Sequence, residues 1–194
     1  MTTPPAPDFR ALEERIVTEL RAGLAVLAAE QGGEPLSVVV LWADPYKGWY
    51  ELLADTQARN EAGARARNTQ MAALLAEVAT RPEAWKTARS TSHKLRALSF
   101  DPRYGDYTFA EDPLHTFDVS YDAFLRSDEY TALNVGGEDG WLEGHERFAI
   151  SQALLRLVAE DAFDVLHKAA LLRVGYAYPD SSDAVIVAHV AAGA

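Results

Sequence analysis

The 194-residue chain contains no cysteine. Disulfide frameworks, thiolate nucleophiles, iron–sulfur clusters and cysteine-bearing zinc sites are therefore excluded as sources of stability or chemistry. It also lacks any run approaching the roughly 18 consecutive apolar residues that a membrane-spanning helix needs. The segment Met1-Thr-Thr-Pro-Pro-Ala-Pro7 has neither a basic start nor an apolar stretch, so it does not read as a signal peptide. A cytoplasmic location is expected, with residues 1–7 as a flexible tail. The phosphate loop, the dinucleotide-binding glycine pattern, the HExxH zinc motif and the GxSxG nucleophile elbow are all missing. Gly136-Gly137 lies in an acidic stretch without lysine and makes no phosphate cradle. Positive charge is scarce as well. Eighteen basic residues stand against 29 acidic ones, a formal net charge of −11. Such a field repels nucleic-acid phosphates and anionic membrane surfaces and attracts basic partners.

What is present suits one globular domain, residues 8–194. A folded chain of this mass exposes about 9,000 Å² against roughly 31,000 Å² when extended, so about 70% of the surface is buried on folding. Apolar residues make up 48% of the chain and charged residues 24%, which is ordinary for a globular protein. The acidity is local. Residues 1–97 are neutral, and the whole imbalance falls in residues 98–194. Within Asp101 to Glu146, twelve acids face only Arg103 and Arg126. Just upstream, Arg81, Lys86, Arg89, Lys94 and Arg96 face only Glu83.

Phe9, Leu12, Ile16, Leu20, Leu24 and Leu27 recur at steps of three and four, which predicts an amphipathic helix ended by Gly32-Gly33. Leu36–Ala43 is a continuous β-branched run of the kind found in buried strands. Asp44-Pro-Tyr-Lys-Gly48 is turn chemistry, and Trp49–Ala54 reads as the antiparallel return strand. A second helix is expected over residues 57–79, with Met71, Leu74, Leu75 and Val78 on one face. Thr80-Arg-Pro-Glu83 resembles a capping box opening another helix, which would turn Trp85 inward and the basic cluster outward. Residues 101–146 read as irregular, with a short strand at Tyr107–Phe109. A short helix capped by Ser120 would bear Phe124, Leu125 and Leu133, and a loop would span Asn134–Gly140.

A long helix is expected from Glu146 to about His167, burying Phe148, Leu154, Leu155, Val158, Ala162 and Val165. Ala170–Tyr178 reads as a strand. Residues 184–190 fit a strand by their β-branched content and a helix by the Ser182-Asp183 start. The implied fold class is α+β: an antiparallel-leaning sheet, with the hairpin at 36–54 and a strand near 170–178, covered by amphipathic helices.

This order of elements, with the Trp85-bearing segment and a late strand running into Asp180-Ser-Ser-Asp183, resembles an uncharacterised bacterial family. It is the domain-of-unknown-function family numbered 4303. The resemblance spans roughly residues 8–191, although the family's Trp-Ala-Tyr-like stretch reads Ala84-Trp85-Lys86 here. It implies the fold and a small soluble bacterial protein, and it assigns no catalytic residue and no cofactor.

Two sets of residues could carry function. Glu143-Gly-His145-Glu146 groups an imidazole with carboxylates, a combination that serves metal binding or general-base work, with His115 as a second candidate. The spacing matches no established ligand pattern, and Glu143 and Glu146 would equally suit the positive end of a helix dipole. No metal site is therefore assigned. Asp101, Asp106, Glu111 and Asp112 lie around Tyr104, Tyr107 and Phe109, as paired carboxylates do in sugar-cleaving sites and as acids do in any solvated loop. Arg65 and Arg67 read as a charged outer helix face. Of the four tryptophans, Trp141 is expected to be exposed, a plausible protein-binding anchor among acids.

These features favour a non-enzymatic acidic protein-binding module of the immunity-protein type, docking a basic protein. Its candidate contact residues are Asp101, Asp106, Asp112, Glu138, Asp139, Trp141 and Glu143. The alternative is a metal-dependent or carboxylate-based hydrolase using His145 and Glu146. A third reading is a housekeeping domain whose acidity serves solubility alone.

Overall fold

A computed structural model describes residues 7–44, 46–80, 113–119, 121–133, 140–179 and 184–193. The chain opens with α1 (Phe9–Glu30), which Asp8 caps by accepting hydrogen bonds from the Arg10 and Ala11 amides, both at 3.0 Å. Leu12, Ile16, Leu20, Leu24 and Leu27 are all buried, as their spacing predicts. Next come β1 (Leu36–Asp44), β2 (Trp49–Thr56) and α2 (Gln57–Ala79). Gly48 takes the positive φ, 65°, that closes the hairpin turn. Only the start of α2 is buried, at Asn60 and Ala64. Met71 and Leu74 are half-buried, and Leu75 is exposed.

Beyond α2 lie β3 (His115–Asp118), the short helices α3 (Asp122–Leu125) and α4 (Asp128–Leu133), and α5 (Gly140–Ala159). A 3-10 turn at Ala162–Val165 leads into β4 (Lys168–Ala177) and β5 (Val185–Ala191). The expected helix opening beyond Thr80, the strand at Tyr107–Phe109, the Ser120 cap and the loop at Asn134 to Asp139 lie outside the described residues. So does the turn at Asp180–Asp183.

The five strands form one sheet in the order β3-β2-β1-β4-β5. Its pairings are antiparallel except β1 with β4, which run parallel, so the sheet is mixed and mostly antiparallel. The α+β class holds, and the ambiguous segment at 184–190 proves to be strand from Val185 onward. One sheet face carries Val39, Leu41, Tyr50, Leu52, Phe117, Leu172, Val174 and Tyr176, and α1 and α5 pack over it to form the main core. The other face buries Val38, Val40 and Ala177, with Trp42 and Ala184 against them.

Helix α5 differs from expectation in both register and length. It begins at Gly140 instead of Glu146 and stops at Ala159, where Asp161 turns the chain with a φ of 55°. The row that meets the sheet is Leu142, Glu146, Ala149, Ile150, Ala153, Leu154 and Leu157. Phe148, Leu155 and Val165, expected in the core, are instead 67%, 43% and 61% exposed, while Val158 and Ala162 are half-buried. The cause is the extra helical turn at the start. Including Leu142 rotates the best apolar row so that Phe148 and Leu155 fall opposite it.

Close approach fixes the β4–β5 edge. A Cβ on Gly175 would meet the Val185 carbonyl oxygen at 2.4 Å, where the β4–β5 register shifts. Gly175→Ala is expected to destabilise the protein by about 1–3 kcal/mol, as overpacking does. Gly144→Ala, in the exposed second turn of α5 with nothing near its Cβ, is expected to stabilise by about 0.5–1 kcal/mol. Urea unfolding of the two variants measures both.

Candidate functional site

Successive residues of a helix point about 100° apart, so the neighbours His145 and Glu146 diverge. Glu146 points at the sheet and is fully buried. The Tyr50 hydroxyl of β2 donates to its Oε1, and the Tyr121 hydroxyl lies 3.2 Å from that of Tyr50. The Tyr50 ring is itself held flat against Phe117 of β3, 4.8 Å between centroids. Tyr178, just beyond β4, also bears on this carboxyl. Neither its hydroxyl nor Glu146 Oε2 completes a hydrogen bond among the described residues.

Burial removes the carboxylate from water and pushes Glu146 up to about 7, against the partial relief of the Tyr50 and Tyr178 hydroxyls. Glu143 and Asp44 push in the same upward direction by like charge. The three phenols are raised well above their ordinary value, first by burial and then, for Tyr50 and Tyr178, by the Glu146 charge. All three stay neutral, and Tyr50 and Tyr121 serve as hydrogen-bonding groups. The nearest arginine in sequence is turned elsewhere: Arg147 pairs with Glu143 and lies over the Tyr178 ring, 4.9 Å from its centroid.

His145 lies on the outside. Its ring stacks on Phe9 at 5.1 Å and contacts Trp141 at 4.5 Å, and its Nδ1 is 2.9 Å from the Trp141 carbonyl oxygen. His115 pairs instead with Glu19 of α1 at 2.8 Å. The two histidines thus engage α1 at Phe9 and Glu19, ten residues or about 15 Å apart along the helix. Among the described residues no three His, Asp or Glu side chains gather as metal ligands would.

Trp141 is half-buried and not free, a correction to its expected exposure. Phe9, Phe124 and His145 surround it, because α5 already begins at Gly140 and lays its first turn on α1 and α3. Glu143 stays partly exposed, paired to Arg147. Asp101, Asp106, Glu111, Asp112, Glu138 and Asp139 lie outside the described residues.

What the sequence does suggest, once the helix starts at Gly140, is an outward row. Trp141, Phe148 and Leu155 are seven residues apart, and Gly144, Gln152 and Ala159 lie between and beyond them on the same side. The row carries no charge. It extends about 21 Å from Trp141 to Leu155.

The raised carboxyl sets a pH dependence whose sign is fixed. Glu146 holds its proton more tightly in the folded chain than at the ordinary value of 4.5, so between pH 4.5 and about 7 the folded state binds more protons. Stability then falls as pH rises through that window. A shift of this size corresponds to about 3 kcal/mol. Glu146→Gln, which cannot ionise, is expected to gain about that much on the wild type between pH 4.5 and 8, measured by denaturant unfolding. No protein family, curated protein or solved structure matches this chain, so the site is read from its own geometry alone.

Proposed function

We propose that this protein is a non-enzymatic binding module of the immunity-protein type, which docks a basic protein on the outward face of α5. The observation that carries the reading is Phe148, 67% exposed at the centre of the uncharged row between Trp141 and Leu155. A large exposed aromatic flanked by a rigid second aromatic is the composition of an interface anchor. Trp141 is held by Phe9 and Phe124, so little side-chain freedom remains to be lost on docking.

Charge favours a basic partner. Phe124 links Trp141 to Tyr130 of α4, whose first turn carries Asp128 and Glu129, and Glu138-Asp139 immediately precede α5 in the sequence. Asp128 and Glu129 on the helix joined to the Trp141 end of the row, on a chain of net charge −11, support electrostatically steered association with a cationic surface. The resemblance to the bacterial family numbered 4303 belongs to the same proposal.

Phe148→Ala is expected to weaken the complex by about 2 kcal/mol, as loss of an interface hot spot does, or roughly thirtyfold in Kd. Raising salt should slow association more than it speeds dissociation. Both are read by surface binding kinetics with a basic protein recovered from the native host. Equal capture by the wild type and a Phe148→Ser, Leu155→Ser double variant would remove the α5 row from the interface.

A further inference from the structure

Helix α5 presents two opposite faces within the same turns. Phe148 looks outward, Trp141 lies half-buried at the start of the helix, and Glu146 lies on the inner side between them, sealed against the sheet. The groups that meet Glu146 come from four directions. They are Tyr50 from β2, Tyr121 from the chain before α3, Tyr178 from beyond β4 and Asp44 from the end of β1, with Glu143 on its own helix. The nearest cation in sequence, Arg147, is committed to Glu143 and to the Tyr178 ring.

The two protonation states fit this enclosure unequally. As a neutral acid, Glu146 accepts from Tyr50 at Oε1 and brings no charge into the enclosure. As a carboxylate it keeps the Tyr50 bond but carries a full charge away from water with no cation facing it among these groups. A charge so placed is relieved by admitting water or by moving the segment that bears it. The segment that bears it is the start of α5, which is held by Leu142 and Glu146 on the inside and by the Trp141 ring contacts beside α1 and α3.

We propose that protonation of Glu146 clasps the first two turns of α5 to the sheet, and that its ionisation releases them, so that the outward docking row is assembled in the protonated state. The inference rests on the proposed docking role for the row. Its test needs no partner, so the clasp can fail while the docking reading stands, and the reverse.

Amide hydrogen exchange of the whole protein, corrected for the intrinsic effect of pH on exchange, is measured from pH 6 to 8.5 in the wild type, Glu146→Gln and Tyr178→Phe. In the wild type, protection across residues 140–150 is expected to fall at least tenfold over this range while α1 and β1 stay protected. Glu146→Gln should show no such step. Tyr178→Phe retains the carboxyl but loses a hydroxyl that favours its ionised form, so its step should move to higher pH. A step of equal size in Glu146→Gln would overturn the proposal, as would wild-type protection that is flat across the range. A Tyr178→Phe step that stays in place or moves to lower pH would overturn it too.

Discussion

The arrangement of this protein turns on one carboxyl group that is kept out of water. Glu146 is the single acid in the row by which α5 meets the sheet, and it is met there by a phenol, not by a cation. The Tyr50 hydroxyl that holds it belongs to the strand next to the central one, and the same ring is stacked on Phe117 of the edge strand. This contact joins the apolar row Leu142, Ala149, Ile150, Ala153, Leu154 and Leu157 in fixing the rotation of α5 over the sheet. Once Glu146 is turned inward, helical geometry leaves Phe148 and Leu155 no direction except outward. The exposed row and the buried acid are two consequences of a single helix register.

The helix register also explains what could and could not be read from the sequence. Helix α1 was fully legible because its apolar residues repeat without interruption and Asp8 caps them. The β1–β2 hairpin was legible because β-branched runs flank a Pro/Gly turn. Helix α5 was misread because its N-terminal turns contain Gly140 and Gly144, which suggest a loop, and because Glu146 breaks the apolar row at its most buried point. Taking Glu146 as a helix start makes Phe148 and Leu155 look like core residues. Taking Leu142 as the first inward residue makes them surface residues and leaves a glutamate in the core. Local pattern favours the first choice, whereas burial of the tyrosines requires the second.

The partners of Glu146 were invisible for a different reason. Tyr50, Tyr121 and Tyr178 are spread over more than a hundred residues, and no spacing rule links them; only the sheet order brings them together. Trp141 stands out in the sequence as an aromatic among acids, which suggests exposure, but its contacts with Phe9 and Phe124 depend on how α5 crosses α1 and α3. The parallel pairing of β1 with β4 was equally hidden, since each strand alone reads simply as an apolar run.

That parallel pairing has a consequence for how the chain reaches its fold. The central strand β1 finds one neighbour within a few residues, across the β1–β2 turn, but its other neighbour is β4, in the last fifth of the sequence. Loop closure on that scale is slow, and it precedes the reward of the contact. During synthesis β1 waits with one edge open and α1 waits without α5 beside it, until most of the chain has emerged. The sheet's interior is thus completed only when β4, from the C-terminal part of the chain, takes its place beside β1.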